Sequence, residues 1–246
     1  MCQFKSGIIL KNRVFVPDYD SHTQMLEELG IEDNYVNAKK MFVRAELIPA
    51  NGDPFSDINT WIFKVDQDIL PEWFNKEDAK ARMIETVKKW AKTHIYNGVD
   101  KLKISSGSGY FLKDCNGVEV YGNATIESVS GNATIEYVSD NATIESVFGN
   151  ATIESVYDNA TIKSVCDSAT IKFVCGKATI ESVFGNATIN NVYGNATVIT
   201  SECFIWRNRD NLAISSKAIL IDRYHNKIYS AFDFEFCVVK KEPENE

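Results

Sequence analysis

Between residues 124 and 200 the apolar and polar positions of this chain follow one pattern that returns every nine residues. Ala-Thr recurs at 124, 133, 142, 151, 160, 169, 178, 187 and 196. The consensus runs Gly or Asp, Asn, Ala, Thr, Ile, Glu, Ser, Val and one variable residue. A worn copy precedes it, with Cys115 in the Ala position and Val120 in the Val position. No helix has a nine-residue period of this composition. The β-branched Thr, Ile and Val favour strand, and each Gly-Asn or Asp-Asn favours a tight turn. Each copy therefore reads as one short strand plus one turn, stacked into a β-solenoid.

The variable positions predict how many copies make one coil. With Ala as slot one, slot seven reads Ser130, Ser139, Phe148, Tyr157, Cys166, Cys175, Phe184 and Tyr193. That is two small and two large, twice over. Layers interdigitate when large sits over small, so a coil must hold two copies, with Ser130 under Phe148, Cys166 and Phe184 on one side. Slot five agrees. One set is always Ser (128, 146, 164, 182), and the other reads Tyr137, Ser155, Phe173 and Asn191. Tyr137 and Phe173 occur where their own slot seven is small, so volume is traded between the two slots. The expectation is an 18-residue coil with two non-identical sides. About five coils would span roughly 24 Å, at about 4.8 Å each.

With Ala and Ile inward and Val closing the corner, Thr and the slot-four residue point outward. The outside then carries a Thr ladder from Thr125 to Thr197. Beside it runs a charge ladder of Glu127, Glu136, Glu145, Glu154, Lys163, Lys172 and Glu181, ending at Asn190. Residues 111–200 hold 4 Lys/Arg and 10 Asp/Glu, so most of the chain's net charge of −8 sits on the repeat. One reading is electrostatic relief, a lysine coil set among glutamate coils. The other is functional: those seven ladder residues form a protein-binding stripe.

The flanks read differently. Residues 7–16 look like a hairpin around Lys11-Asn12. Ser21 begins a capping box before Met25, Leu26 and Leu29, with Gly30 as a stop. Residues 41–49 and 60–66 alternate as two strands. Asn75 caps a longer helix over 76–97, with Met83, Val87, Trp90 and His94 on one stripe. The organisation predicted is an α+β head over 1–110, the solenoid over 111–200, a β cap over 201–239 and a disordered tail over 240–246. The cap would use the Cys203-Phe204-Ile205-Trp206 and Ala218-Ile219-Leu220-Ile221 runs and a hairpin at His225-Asn226. The fold class is thus mainly β, with an α+β head.

Candidate chemistry is sparse. Asp18, Asp20 and His22 have the residue types of a metal or acid–base cluster, and equally of a helix N-terminus that favours acids. Cys166 and Cys175 read as small core filler on opposite sides of a coil. Asp140, Asp158 and Asp167 raise a calcium roll, but its glycine-rich signature is missing. Asn-Ala-Thr forms formal glycosylation sequons, which the absence of a visible signal peptide discounts. The Thr ladder lacks the second Thr of an ice-binding array. No phosphate loop, dinucleotide fingerprint, zincin motif or nucleophile elbow occurs. The expectations are no enzyme activity, no cofactor, no metal, no membrane and a cytoplasmic location. The acidic balance argues against direct nucleic-acid binding.

The repeat Asn-Ala-Thr-Ile-Glu-Ser-Val and the stretch Val-Pro-Asp-Tyr-Asp-Ser-His-Thr-Gln-Met-Leu-Glu-Glu-Leu-Gly-Ile (16–31) resemble a family of uncharacterised phage and prophage proteins of gut bacteria. In general logic the chain also resembles pentapeptide-repeat proteins, acidic solenoids that imitate duplex DNA. It departs from them in its period and in Lys163, Lys172 and Lys177. The resemblance implies a mobile-element accessory protein and brings no catalytic residues. The sequence thus favours a non-enzymatic protein that binds, and by that inhibits, a host nucleic-acid-binding or defence protein. In the alternative the solenoid is a rigid spacer and the head binds. A metal-dependent enzyme at the head is the third option.

Overall fold

The computed structural model describes residues 4–200, 213–214, 219–223 and 227–230. In the head, alternating apolar residues build a four-stranded antiparallel sheet of order β2-β1-β3-β4. Its strands are β1 (Lys5–Leu10), β2 (Val14–Phe15), β3 (Phe42–Ile48) and β4 (Ile62–Val65). The predicted hairpin joins β1 to β2, closed by the Leu10 amide donating to the Arg13 carbonyl at 2.8 Å. Helix α1 (His22–Glu28) starts where Ser21 accepts from the Gln24 amide, and a short α2 (Tyr35–Ala38) follows. Helix α3 (Lys76–His94) is capped by Asn75, as read from the sequence.

The two faces of this sheet bury different sets. Ile9, Val43, Ala45 and Leu47 pack on Met83, Val87 and Trp90 of α3. Ile8 and Phe42 pack on Met25 and Leu26 of α1. Burial on both faces accounts for the adjacent apolar pairs Ile8-Ile9 and Phe42-Val43, and it takes the polar Lys5, Ser6 and Glu46 of the same strands inside as well.

Helix α3 ends at His94, short of the predicted 97, because Ile95 begins a strand. That strand, β5 (Ile95–Asn97), pairs in parallel with β7 (Tyr110–Lys113), while β6 (Lys103–Ile104) pairs with β8 (Val118–Val120). The stack thus begins inside the segment read as head. Those rungs carry no Asn-Ala-Thr repeat and keep only its inward apolar positions, such as Ile104, Leu112 and Val118. This is why the stack reaches about six coils rather than about five.

The repeat then gives one strand per copy: β9 (Thr125–Ser130), β10 (Thr134–Val138), β11 (Thr143–Val147), β12 (Thr152–Val156), β13 (Thr161–Val165), β14 (Thr170–Val174), β15 (Thr179–Val183), β16 (Thr188–Val192) and β17 (Thr197–Thr200). Odd-numbered strands from β5 stack in one parallel ladder, the odd face, and even-numbered strands from β6 in another, the even face. Registers step by 18 residues, Thr143 on Thr161 and Thr152 on Thr170. Two copies per coil is therefore the observed construction.

Ala, Ile and Val of the eight copies from β9 to β16 are buried, as are Ala196 and Val198 of the last. Two outward residues, slots four and five, separate the inward Ile and Val. The backbone bends there, and the ladder passes over slot four while pairing slots two, three, five and six.

The turns explain the Gly-or-Asp preference. The residue after slot seven has positive φ in every repeat turn, from Gly131 at 66° to Asp140, Asp158 and Asp167 at 55°, 58° and 57°. Gly, and next to it Asn or Asp, tolerates that left-handed backbone. Successive turns also touch: a Cβ on Gly149 would lie 3.1 Å from the Gly131 amide nitrogen.

At the far end, β18 (Ala213–Ile214) continues the even face and β19 (Ile219–Asp222) the odd. Strand β20 (Lys227–Ser230) turns back antiparallel on β19, a hairpin closing the odd ladder. The predicted turn residues His225 and Asn226, the Cys203–Trp206 run and the 240–246 tail lie outside the described residues.

Candidate functional site

An 18-residue coil sends consecutive copies to opposite faces, so the predicted charge ladder is two columns rather than one. Glu127, Glu145, Lys163 and Glu181 stand on the odd face; Glu136, Glu154, Lys172 and Asn190 stand on the even face. Each lysine reaches back one coil. Lys163 Nζ lies 2.7 Å from Glu145, and Lys172 Nζ lies 2.7 Å from Glu154. Hydrogen bonding to Glu145 holds the Lys163 ammonium above its ordinary pKa. The electrostatic-relief reading thus has direct geometry, and Glu136 and Glu181 are the ladder acids left most exposed.

Glu127 differs from the rest because the head lies over it. Burial pushes its carboxyl above the usual range, and the nearby Glu145 and Asp20 add to the rise. The joint is built around Lys5, a fully buried lysine that the sequence reading did not single out. Its ammonium meets Asp20 at 3.1 Å and sits 4.6 Å above the Trp90 ring. Desolvation pulls its pKa down against the pull of Asp20. Beside it, His94 stacks between Trp90 and Tyr110, with centroids at 4.8 and 5.0 Å, and meets Asp18 at 3.1 Å. Tyr110 belongs to β7, so this ring stack ties helix, head loop and first coils together.

The Asp18, Asp20 and His22 cluster is dispersed by the fold. Asp18 goes to His94 and Asp20 to Lys5, whereas His22 faces the Ala45 carbonyl at 3.2 Å and Asp66 at 3.6 Å. Among the described residues no three His, Cys, Asp or Glu side chains converge as metal ligands. The turn aspartates serve the backbone: Asp140 accepts from the Gly122 amide at 2.9 Å and Asp167 from the Gly149 amide at 3.1 Å. Cys166 and Cys175 stand on opposite faces as half-buried thiols whose pKa values burial raises.

One arrangement on the even face was read only as volume packing. Tyr121, Tyr137, Tyr157, Phe173 and Tyr193 put an aromatic ring in every coil from β8 to β16. The odd repeat strands carry one only in alternate coils, at Phe148 and Phe184. Tyr137 and Tyr157 lie 5.9 Å apart, Phe173 and Tyr193 6.3 Å. Tyr137 donates to Glu119 at 2.8 Å, which pushes its phenol up to about 12. Lys103 meets the same carboxylate at 2.7 Å. The signal was in the sequence: alternation of size needs an aromatic in every second coil, and this face has twice that.

Comparison with protein-family models, with curated proteins and with solved structures gives no match. No described helix is long and apolar enough to cross a membrane.

Proposed function

We propose that this protein is a non-enzymatic binding protein whose solenoid presents an acidic outer surface to a host protein, one that ordinarily holds nucleic acid. The observation that carries the reading is the placement of charge. The Ala, Ile and Val slots of β9 to β16 are apolar and buried, so the acids of those copies stand outside the core of the stack at fixed spacing. Lys163 and Lys172 answer Glu145 and Glu154 in one region and leave Glu136 and Glu181 exposed on either side of it. The resemblance of the repeat and of residues 16–31 to phage and prophage proteins supports a bacterial partner, and inhibition as the consequence of binding it.

The test is capture from nuclease-treated bacterial lysate by the tagged chain, beside Glu136→Gln/Glu181→Gln. A nucleic-acid-binding protein retained by the wild type, released by salt and lost with the variant is the expected result. Equal capture by both forms would sink the proposal.

A second reading, the solenoid as spacer and the head as binder, rests on exposed apolar residues of the head. Tyr35, Val36 and Met41 are 64%, 56% and 45% exposed. It predicts that capture survives the charge variant and fails with Tyr35→Ser/Val36→Ser.

A further inference from the structure

The even face joins rings and carboxylates in coil after coil, where the odd repeat strands have a ring only at Phe148 and Phe184. Its rings stand among carboxylates. Around the half-exposed Tyr137–Tyr157 pair are Glu136, Asp140 and Asp158, all exposed. Lysines border this patch: Lys103 meets Glu119 and Lys172 meets Glu154, the Lys101 stem lies with Glu136 beside Gly117, and the Lys177 amide donates to the Asp158 carbonyl at 2.7 Å. The Asp140 carboxylate is held by the Gly122 amide, which donates to it at 2.9 Å, and Asp158 makes a weaker 3.5 Å contact with the Asp140 amide.

Aromatic rings flanked by acids select a cation that is also flat. A guanidinium stacks on the ring and leaves its N–H edges for carboxylates in its plane, which a compact, strongly hydrated ammonium does less well. Parallel stacking repeats these elements along the solenoid axis, so the complementary ligand is extended. Single-stranded nucleic acid also stacks on aromatic rows, but it needs a basic groove, and the acids here oppose its phosphates.

We infer that the tyrosine-lined side of the even face docks an extended, arginine-bearing segment of the partner protein. The inference rests on the protein-binding reading above and supplies the partner's chemistry. It also gives the even-face rings a use beyond filling volume.

The experiment uses the full chain and labelled oligo-arginine, oligo-lysine and oligo-thymidylate probes of equal length, followed by fluorescence anisotropy. Oligo-arginine should bind about tenfold more tightly than oligo-lysine. The variant Tyr137→Ser/Tyr157→Ser uses the residue that sister copies carry in the same slots, Ser155 and Ser139, so the coil has a native precedent. It should erase the arginine preference, with the fold checked by unchanged circular dichroism. The odd-face variant Phe148→Ser/Phe184→Ser should leave the preference intact. Equal binding of the two peptides by the wild type would overturn the inference, as would an unaltered preference in the tyrosine variant or tighter binding of oligo-thymidylate.

The two proposals fail separately. Loss of host-protein capture in Glu136→Gln/Glu181→Gln with no arginine preference sinks the docking patch alone. Arginine preference with capture unchanged by that variant sinks the acidic-surface function alone.

Discussion

The odd and even faces are built from the same nonapeptide, share one core and hydrogen-bond in the same register, yet their outer surfaces are used differently. On the odd side slot five is Ser in β9, β11, β13 and β15, and the first coils lie against the head. The head loop around Phe55 leaves a cleft of about 370 Å³ against Lys113, Ser128, Ser130 and Phe148. On the even side slot five varies, every coil carries a ring, and the turn acids Asp140 and Asp158 stand exposed. A repeat thus separates two tasks cleanly. The inward slots fix the scaffold, and slots four, five and seven vary without disturbing it.

The sharpest way to break this comparison is to exchange the faces. Deleting residues 150–158 removes one copy and sends everything downstream to the opposite face. Deleting 141–158 removes a whole coil and leaves the assignment intact. The shorter deletion should be the more damaging, exceeding about 4 kcal/mol, because it moves every downstream copy to the opposite face, breaks the size alternation in slots five and seven, and misplaces the closing hairpin. Chemical denaturation of both proteins is the check, and equal losses would refute the two-faced coil.

The next effect asks whether the core is truly shared. Ile144→Ala on the odd face and Ile153→Ala on the even should each cost about 3 kcal/mol, since both side chains are fully buried. Unequal urea midpoints would show that the two faces differ inside as well as outside.

Turn variants should be milder. Gly149→Ala puts a Cβ at φ 70° and 3.1 Å from the Gly131 amide nitrogen, a cost of about 1–2 kcal/mol. Asp158→Gly at φ 58° relieves a strained residue while losing a weak 3.5 Å contact, and should lie within about 0.5 kcal/mol of the wild type.

The smallest effect belongs to Glu127. Its carboxyl is raised in the fold, so the folded chain holds a proton more tightly than the unfolded one. Its contribution to stability therefore falls as pH rises from the unfolded pKa through the raised folded one. Glu127→Gln should raise the melting temperature slightly at neutral pH, and the gain should shrink in acid below the unfolded pKa. A gain that grew with acidification would contradict the burial of Glu127 under the head.

Most of the stack was legible because its signal is periodic. The size alternation in slot seven sufficed for two copies per coil, and the Gly-or-Asp rule reported the left-handed turn. What the sequence concealed lies where periodicity fails. Rungs β5 to β8 keep inward apolar residues without the repeat, so the start of the solenoid read as head. Two-faced placement of the ladder was implicit in the coil length, but the bridges Lys163–Glu145 and Lys172–Glu154 needed side-chain reach to become visible. Lys5 was missed for a different reason. A lysine near a chain start reads as surface, and only the tertiary meeting of Asp20 and Trp90 shows how its burial is tolerated. The candidate docking patch was half legible: its residues were counted, but as volume.

The direct run of α3 into β5, with Ile95 following His94 at once, bears on how the chain acquires its structure. A stack of identical rungs has no preferred starting point, and slipping by whole coils costs little in the repeat itself. Here the first rung is welded to a separately cored unit whose helix fixes its position. Each later rung zips onto an existing template, a short loop closure at every step. The head thereby acts as a nucleus and a register mark for the whole stack. Amide protection should fall along the solenoid with distance from it, towards the closing hairpin.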